Sequence, residues 1–225
     1  MKAIIQFLKE LQKNNHKEWF DANKLRYKEA QATINAFADQ LISGISKFDG
    51  SVKTLSAKNC TFRIYRDVRF SPDKTPYKTH FGVHICPGGK MSGYAGYYFH
   101  IEPKGSDYIG GSILSAGLHC PQPNVLKSVR DAIYTEGKTF ETLLKKAKGF
   151  TLDDSSSLRK LPKEFPDDTP YSRYIKLRTF DLSSEISDKT LYGDDLLAYC
   201  LTELKKTAPL VQFLNRSVVY AMEEA

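Results

Sequence analysis

At 225 residues, 41% of them hydrophobic and 26% charged, the chain is long enough to bury a full core and has the composition of a globular protein. A formal charge of +7 and a pI near 9.1 admit an acidic or phosphorylated partner but fall short of the charge density of a dedicated nucleic-acid binder. No apolar run approaches bilayer length, and Lys9 and Glu10 interrupt the apolar stretch a secretory leader needs, so a cytoplasmic chain without membrane association is expected.

Cys60, Cys86, Cys120 and Cys200 are scattered without a C-x-x-C pair, which in a cytoplasmic chain favours reduced structural thiols over disulfides or a zinc site. Ile4, Ile5, Leu8 and Leu11 at helical spacing predict a helix over 3–12. Asn15 followed by Glu18 resembles a capping box, and Trp19, Ala30, Ile34, Phe37, Leu41 and Ile45 continue the period, predicting one long helix over 16–47. Trp19 reads as a core anchor. Between 51 and 115 the period changes to two, broken by Ser71-Pro72-Asp73, Pro87-Gly88-Gly89 and Lys104-Gly105-Ser106, the pattern of an antiparallel meander of five strands. Helical spacing returns from Pro123 through Ala147, followed by a loop over 149–170, a strand near 174–182 and helices over 193–206 and 208–222. A block of strands flanked by helices predicts an α+β fold. Its expected form is a single domain over 1–225, one antiparallel sheet with the N-terminal (3–47) and C-terminal (123–222) helices packed on one face.

The chemistry concentrates at 62–80. Six basic side chains between Arg63 and Lys90 meet only Asp67 and Asp73, which leaves +4 of the formal +7 there. Arginine grips carboxylate and phosphate well, so Arg63, Arg66 and Arg69, with Asp67, Lys74 and Lys78, are the candidate ligand-binding residues. Alternation in 62–70 sets Phe62, Ile64, Val68 and Phe70 on one face, with Arg66 the exception, and Arg63, Asp67 and Arg69 on the other. In 79–86, Phe81, Val83 and Ile85 are apolar and oppose His80, Gly82 and His84; in 97–102, Tyr97, Phe99 and Ile101 oppose Tyr98, His100 and Glu102. Turn positions then predict two rows across three strands, Arg69–His80–Glu102 and Asp67–Gly82–His100, with a hollow at Gly82. Such rows are either a solvent-facing charge ladder or a small polar site in which Glu102, His100 and His80 handle protons beside a bound anion. Arg66 is equally suited to pairing with a helix carboxylate.

His80, His100 and Glu102 also form the ligand set of some non-haem iron sites, but a fixed Arg69 in the same row opposes a divalent metal, and no metal site is assigned. Nucleotide-binding loops, nucleophile elbows and H-E-x-x-H are absent from the sequence, and the residues name no cofactor and set no oligomeric state. Tyr77, Tyr94, Tyr97 and Tyr98 near the lysines invite comparison with single-strand binders, yet alternation sends Tyr97 and Tyr98 to opposite faces. The expected function is binding or acid–base processing of a small anionic ligand. The alternative is a non-catalytic module docking an acidic protein or nucleic acid through its basic hairpin.

The run F-R-I-Y-R-D-x-R-F-S-x-D-K-T-P-Y-K-T-H at 62–80, with Asn14–Phe20, Gly96–Pro103, Ala208–Val211 and Phe213-Leu214, resembles a widespread, mostly bacterial family of uncharacterised proteins classed as a domain of unknown function. The resemblance implies a single cytoplasmic α+β domain and carries over no activity, substrate or catalytic residue. His80, His100, Glu102 and the three arginines fall on its pattern. His84 departs from it and is left out of the candidate site.

Overall fold

The computed structural model describes residues 1–223. Helix α1 (Lys2–Lys13) buries Ile4, Ile5, Phe7, Leu8 and Leu11. The helix expected over 16–47 is two, α2 (Lys17–Ala22) and α3 (Lys24–Ile45). They break at Asn23, whose side-chain amide donates to the Trp19 carbonyl and competes with the helical ladder. Asn15 is no cap either. Its amide donates to the Tyr77 carbonyl at 2.8 Å and its oxygen accepts the Tyr77 N–H at 3.1 Å, which ties the 62–80 segment to the N-terminal helices. A short helix α4 (Ala57–Cys60), capped reciprocally by Ser56 and Asn59, precedes that segment.

Residues 62–70 do not form the expected strand. Isolated bridges join Thr61 to Val83 and Tyr65 to Tyr77. Val83 meets Thr61 where the predicted register sets Arg66, an odd-numbered slip that exchanges the two faces. The apolar alternation misled because it did not record burial: Ile64 is buried, whereas Phe70 is 94% exposed. Beyond Tyr65 the chain is a loop organised by side chains, with Arg66 bonded to Asp73 and Thr75, and Pro72 and Pro76 offering no N–H to a ladder.

The sheet is assembled from β1 (Phe81–Ile85), β2 (Gly96–Ile101) and β3 (Ile113–Leu118), then, after helix α5 (Pro123–Lys146), from β4 (Thr151–Leu152) and β5 (Phe180–Glu185). All neighbours are antiparallel in the order β1-β2-β3-β5-β4, so only three of the five strands lie in the segment where five were expected. The β1–β2 register sets Gly82 opposite His100, as the alternation predicted. The strand expected over 174–182 is instead the short helix α6 (Ser172–Ile175) followed by β5. After α7 (Asp188–Leu191), the two expected terminal helices are one, α8 (Leu196–Glu223), which runs through Pro209.

One face of this α+β fold is apolar and covered. Phe81, Val83, Ile85, Tyr97, Phe99, Ile101, Leu114, Ala116, Phe180 and Leu182 are all buried there, with Phe37 of α3 at 4.9 Å from Phe99 and Phe140 of α5 at 6.3 Å from Phe180. Among the described residues, the other face carries no helix layer. Register places Gly82, His100 and Ile113 in one row across it, and His84, Tyr98, Ser115, Ser183 and Thr151 in the next. Among the described residues, no helix is long and apolar enough to cross a membrane.

Candidate functional site

The uncovered face floors a cleft of about 1040 Å³. Arg63, Arg66 and Lys78 line it from the hairpin side; His119, Asp153 and Asp181 line it at the far strands. From its floor a polar line runs inward along β2. The Tyr98 hydroxyl lies 3.1 Å from His100 Nδ1, and His100 Nε2 lies 3.1 Å from a Glu102 oxygen. Alternation puts all three on one face, and the last two are sealed: Tyr98 is half-buried, whereas His100 is 0% exposed and Glu102 1%.

The loop after β2 closes over Glu102. The backbone N–H groups of Tyr108, Ile109 and Gly110 donate to its carboxylate at 3.3, 2.9 and 3.3 Å. Burial opposes its charge, but hydrogen bonds from His100 and from the Ile109 and Tyr108 amides outweigh it and hold the carboxyl below its usual range. An ionised carboxylate only accepts, so Nε2 of His100 carries a proton. In the neutral imidazole Nδ1 is then bare and accepts from the Tyr98 hydroxyl, which burial keeps protonated above the usual phenol range.

The hollow predicted at Gly82 is occupied. The Tyr98 ring lies across it, and a Cβ on Gly82 would stand 2.9 Å from Tyr98 Cε2 and closer still to the hydroxyl. His80 lines the cleft between two rings, 4.7 Å from His100 and 4.3 Å from the exposed Tyr108, nearly parallel to the latter. Burial, with His100 and Lys78 nearby, lowers its pKa to about 3, and its buried Nδ1 has no hydrogen-bond partner among the described residues. It is a neutral imidazole with a nitrogen to offer.

Of the basic residues, Arg63, Arg66 and Lys78 reach the cleft. Arg66 is held by Asp73, a loop carboxylate, where pairing with a helix carboxylate was the alternative to a ligand-binding role. Lys78 loses proton affinity through burial and the neighbouring Arg63 charge, and neither of these two is ion-paired among the described residues. The rows ending in Arg69 and Asp67 do not form. Arg69 pairs with Asp67 at 2.6 Å on the exposed loop, away from His80 and Gly82, because the odd slip and the loop carry both beyond the sheet edge. Lys74 donates to the Val68 carbonyl on the same loop and lies outside the cleft lining.

His80, His100 and Glu102 do gather, but both His100 nitrogens are engaged by Tyr98 and Glu102. Among the described residues no group of three or more His, Cys, Asp or Glu side chains is disposed to hold a metal ion. Sequence reasoning overlooked Tyr98 as a member of the site, although its parity with His100 was the available signal. It also set aside His84, which lines the cleft, and had no local signal for the pair His119 Nδ1–Asp181 at 2.6 Å, made between β5 and the end of β3.

No curated protein and no solved structure matches the chain. A family model does, over residues 3–213, and the chain therefore belongs to the conserved hypothetical protein family DUF2461.

Proposed function

We propose that the protein binds a small anionic ligand, phosphate- or carboxylate-bearing, in the cleft on the open sheet face and can move a proton to or from it. The observation that carries this reading is the buried Tyr98–His100–Glu102 line opening onto a cleft whose near wall holds Arg63 and Lys78, neither of them ion-paired among the described residues. Two cations on the near wall, not ion-paired among the described residues, favour an anion there although Asp107, Asp153, Asp154 and Asp181 also line the cleft, and a partly buried lysine gains most from receiving one. Docking of an acidic surface through the hairpin tip has less support, since Arg69 there is already bonded to Asp67. We also place the protein in the cytoplasm, a reading supported by four free cysteines.

The test is thermal unfolding with inorganic phosphate, pyrophosphate and citrate. A ligand at ten times its Kd stabilises by about 1.4 kcal/mol, a Tm rise of roughly 3–6 °C in a chain of this size. The rise should vanish in the Arg63→Ala, Lys78→Ala double variant. No shift with any of the three anions, or an equal shift in the double variant, refutes the reading.

A further inference from the structure

The geometry points to Tyr98 as the reacting group of the cleft, a nucleophilic hydroxyl activated by His100 and Glu102 toward the phosphorus of a phosphate monoester. This rests on the anion-binding reading for its substrate class but not for its nucleophile.

Three features carry it. Only Tyr98, of the three residues in the line, borders the cleft; His100 and Glu102 are sealed beneath it, so any chemistry the line performs on a ligand passes through the phenol oxygen. The line also has a direction. With Glu102 accepting from Nε2 and, in the neutral imidazole, Nδ1 accepting from Tyr98, the phenol proton points into the protein. A hydroxyl, an imidazole and a fixed carboxylate in that order form the arrangement by which weak oxygen nucleophiles are activated. Glu102 is itself held by three backbone N–H groups, so the carboxylate is in place to stabilise an imidazolium when one forms. Finally, Arg63 and Lys78 together match the two negative charges of a phosphate monoester better than the single charge of a carboxylate.

The step balances. The Tyr98 oxygen bonds phosphorus while its proton moves to His100 Nδ1. The bond from phosphorus to the leaving oxygen breaks, that oxygen keeps the electron pair, and it takes a proton from solvent in the cleft to depart as an alcohol, while the phenol proton stays on the buried His100. Water then attacks the tyrosyl phosphate and returns a proton to solvent. The phenol oxygen leaves with its electron pair and regains its proton from the His100 imidazolium, and inorganic phosphate is released. In this scheme Tyr98 is the catalytic residue, and His100 and Glu102 are positioning residues.

A reactive tyrosine can be tested without the natural substrate. An aryl sulfonyl fluoride presents a tetrahedral sulfur that a phenol oxygen attacks with loss of fluoride. Peptide mapping of the wild-type protein should show Tyr98 labelled about tenfold or more faster than Tyr134 and Tyr220, which are 42% and 55% exposed. Labelling should slow by a similar factor in Glu102→Gln, which keeps the side chain's shape, and inorganic phosphate should protect Tyr98. Labelling of Tyr98 no faster than that of the two exposed tyrosines overturns the nucleophile, and the wild-type ratio decides this even if Glu102→Gln fails to fold. Equal rates in a folded Glu102→Gln protein also overturn it. Fast labelling without phosphate protection overturns the monoester as substrate. A phosphate-induced thermal shift with an inert Tyr98 refutes this inference and leaves the anion-binding reading standing.

Discussion

Gly82→Ala tests whether the site is built around the Tyr98 ring. In an ordinary strand, replacing glycine by alanine removes backbone freedom from the unfolded chain and stabilises by about 0.4–1 kcal/mol. Here the added Cβ would lie 2.9 Å from Tyr98 Cε2 and 3.0 Å from Cζ, inside van der Waals contact, with the hydroxyl closer still. The ring cannot slide along the sheet, because His84 lies directly opposite Tyr98 in the register. It must lift, and lifting breaks the hydroxyl's bond to His100 Nδ1. Overpacking costs about 1–3 kcal/mol and the lost hydrogen bond about 1 kcal/mol more, so the expected destabilisation is roughly 2–4 kcal/mol. In thermal unfolding that is a Tm fall of roughly 4–16 °C. The sign alone separates this from a generic strand glycine. A double-mutant cycle with Tyr98→Ala isolates the cause: with the ring gone, Gly82→Ala should cost almost nothing, giving a coupling of about 2 kcal/mol or more. Additive effects, or a stabilised Gly82→Ala protein, would refute the packing argument.

Glu102→Leu leaves three backbone N–H groups and His100 Nε2 without an acceptor, and should cost on the order of 3–5 kcal/mol in denaturant unfolding, well above Glu102→Gln. Because the folded pKa of Glu102 is depressed, its contribution is present above the unfolded carboxyl value near 4.5 and is lost as pH falls through the folded value; Glu102→Gln should therefore unfold less steeply in acid than the wild type. His119 behaves oppositely. Its hydrogen bond to Asp181 outweighs burial and raises its pKa, so its contribution is complete below about 6.5 and disappears as pH rises through the folded value. An NMR titration should show that value falling in Asp181→Asn, and no change there would remove the pair from the account. Asn15→Ala breaks both bonds to Tyr77, so amide exchange at Arg66 and Lys78 should accelerate with a stability loss of about 1–2 kcal/mol; unaltered exchange would show that the hairpin does not depend on that tie.

What could be read in the sequence divides by the range of the interactions that decide it. The β1–β2 pair was legible because two alternating runs are joined by one turn-rich loop, in which Gly88 and Gly89 adopt φ of 74° and 89°. Register follows there from local chemistry and one buried face. Strand β5 was placed several residues too early, since α6 precedes it and its partner β3 lies before helix α5. Nothing near residue 180 specifies that pairing. The 62–70 segment failed for a different reason. Its alternation of apolar and polar side chains is present, but Arg66, Asp73 and Thr75 satisfy one another and the backbone of the loop, and that local solution competes with a strand.

The site divides along the same line. Parity was enough to put Tyr98, His100 and Glu102 on one face and Gly82 opposite His100, and both placements follow from the pleat alone. Parity carries no information about depth. His100 and Glu102 look like the exposed acid and base only if nothing covers them, and what covers them is the loop from Pro103 to Gly110, which turns three amides onto the carboxylate. Once that loop is in place, the group left facing the cleft is the one whose ring fills the space freed by a glycine on the neighbouring strand. A tyrosine in a strand ordinarily signals packing. Here the absence of a side chain at Gly82 and the two buried polar residues behind it turn the same ring into the link between the protein interior and the cleft.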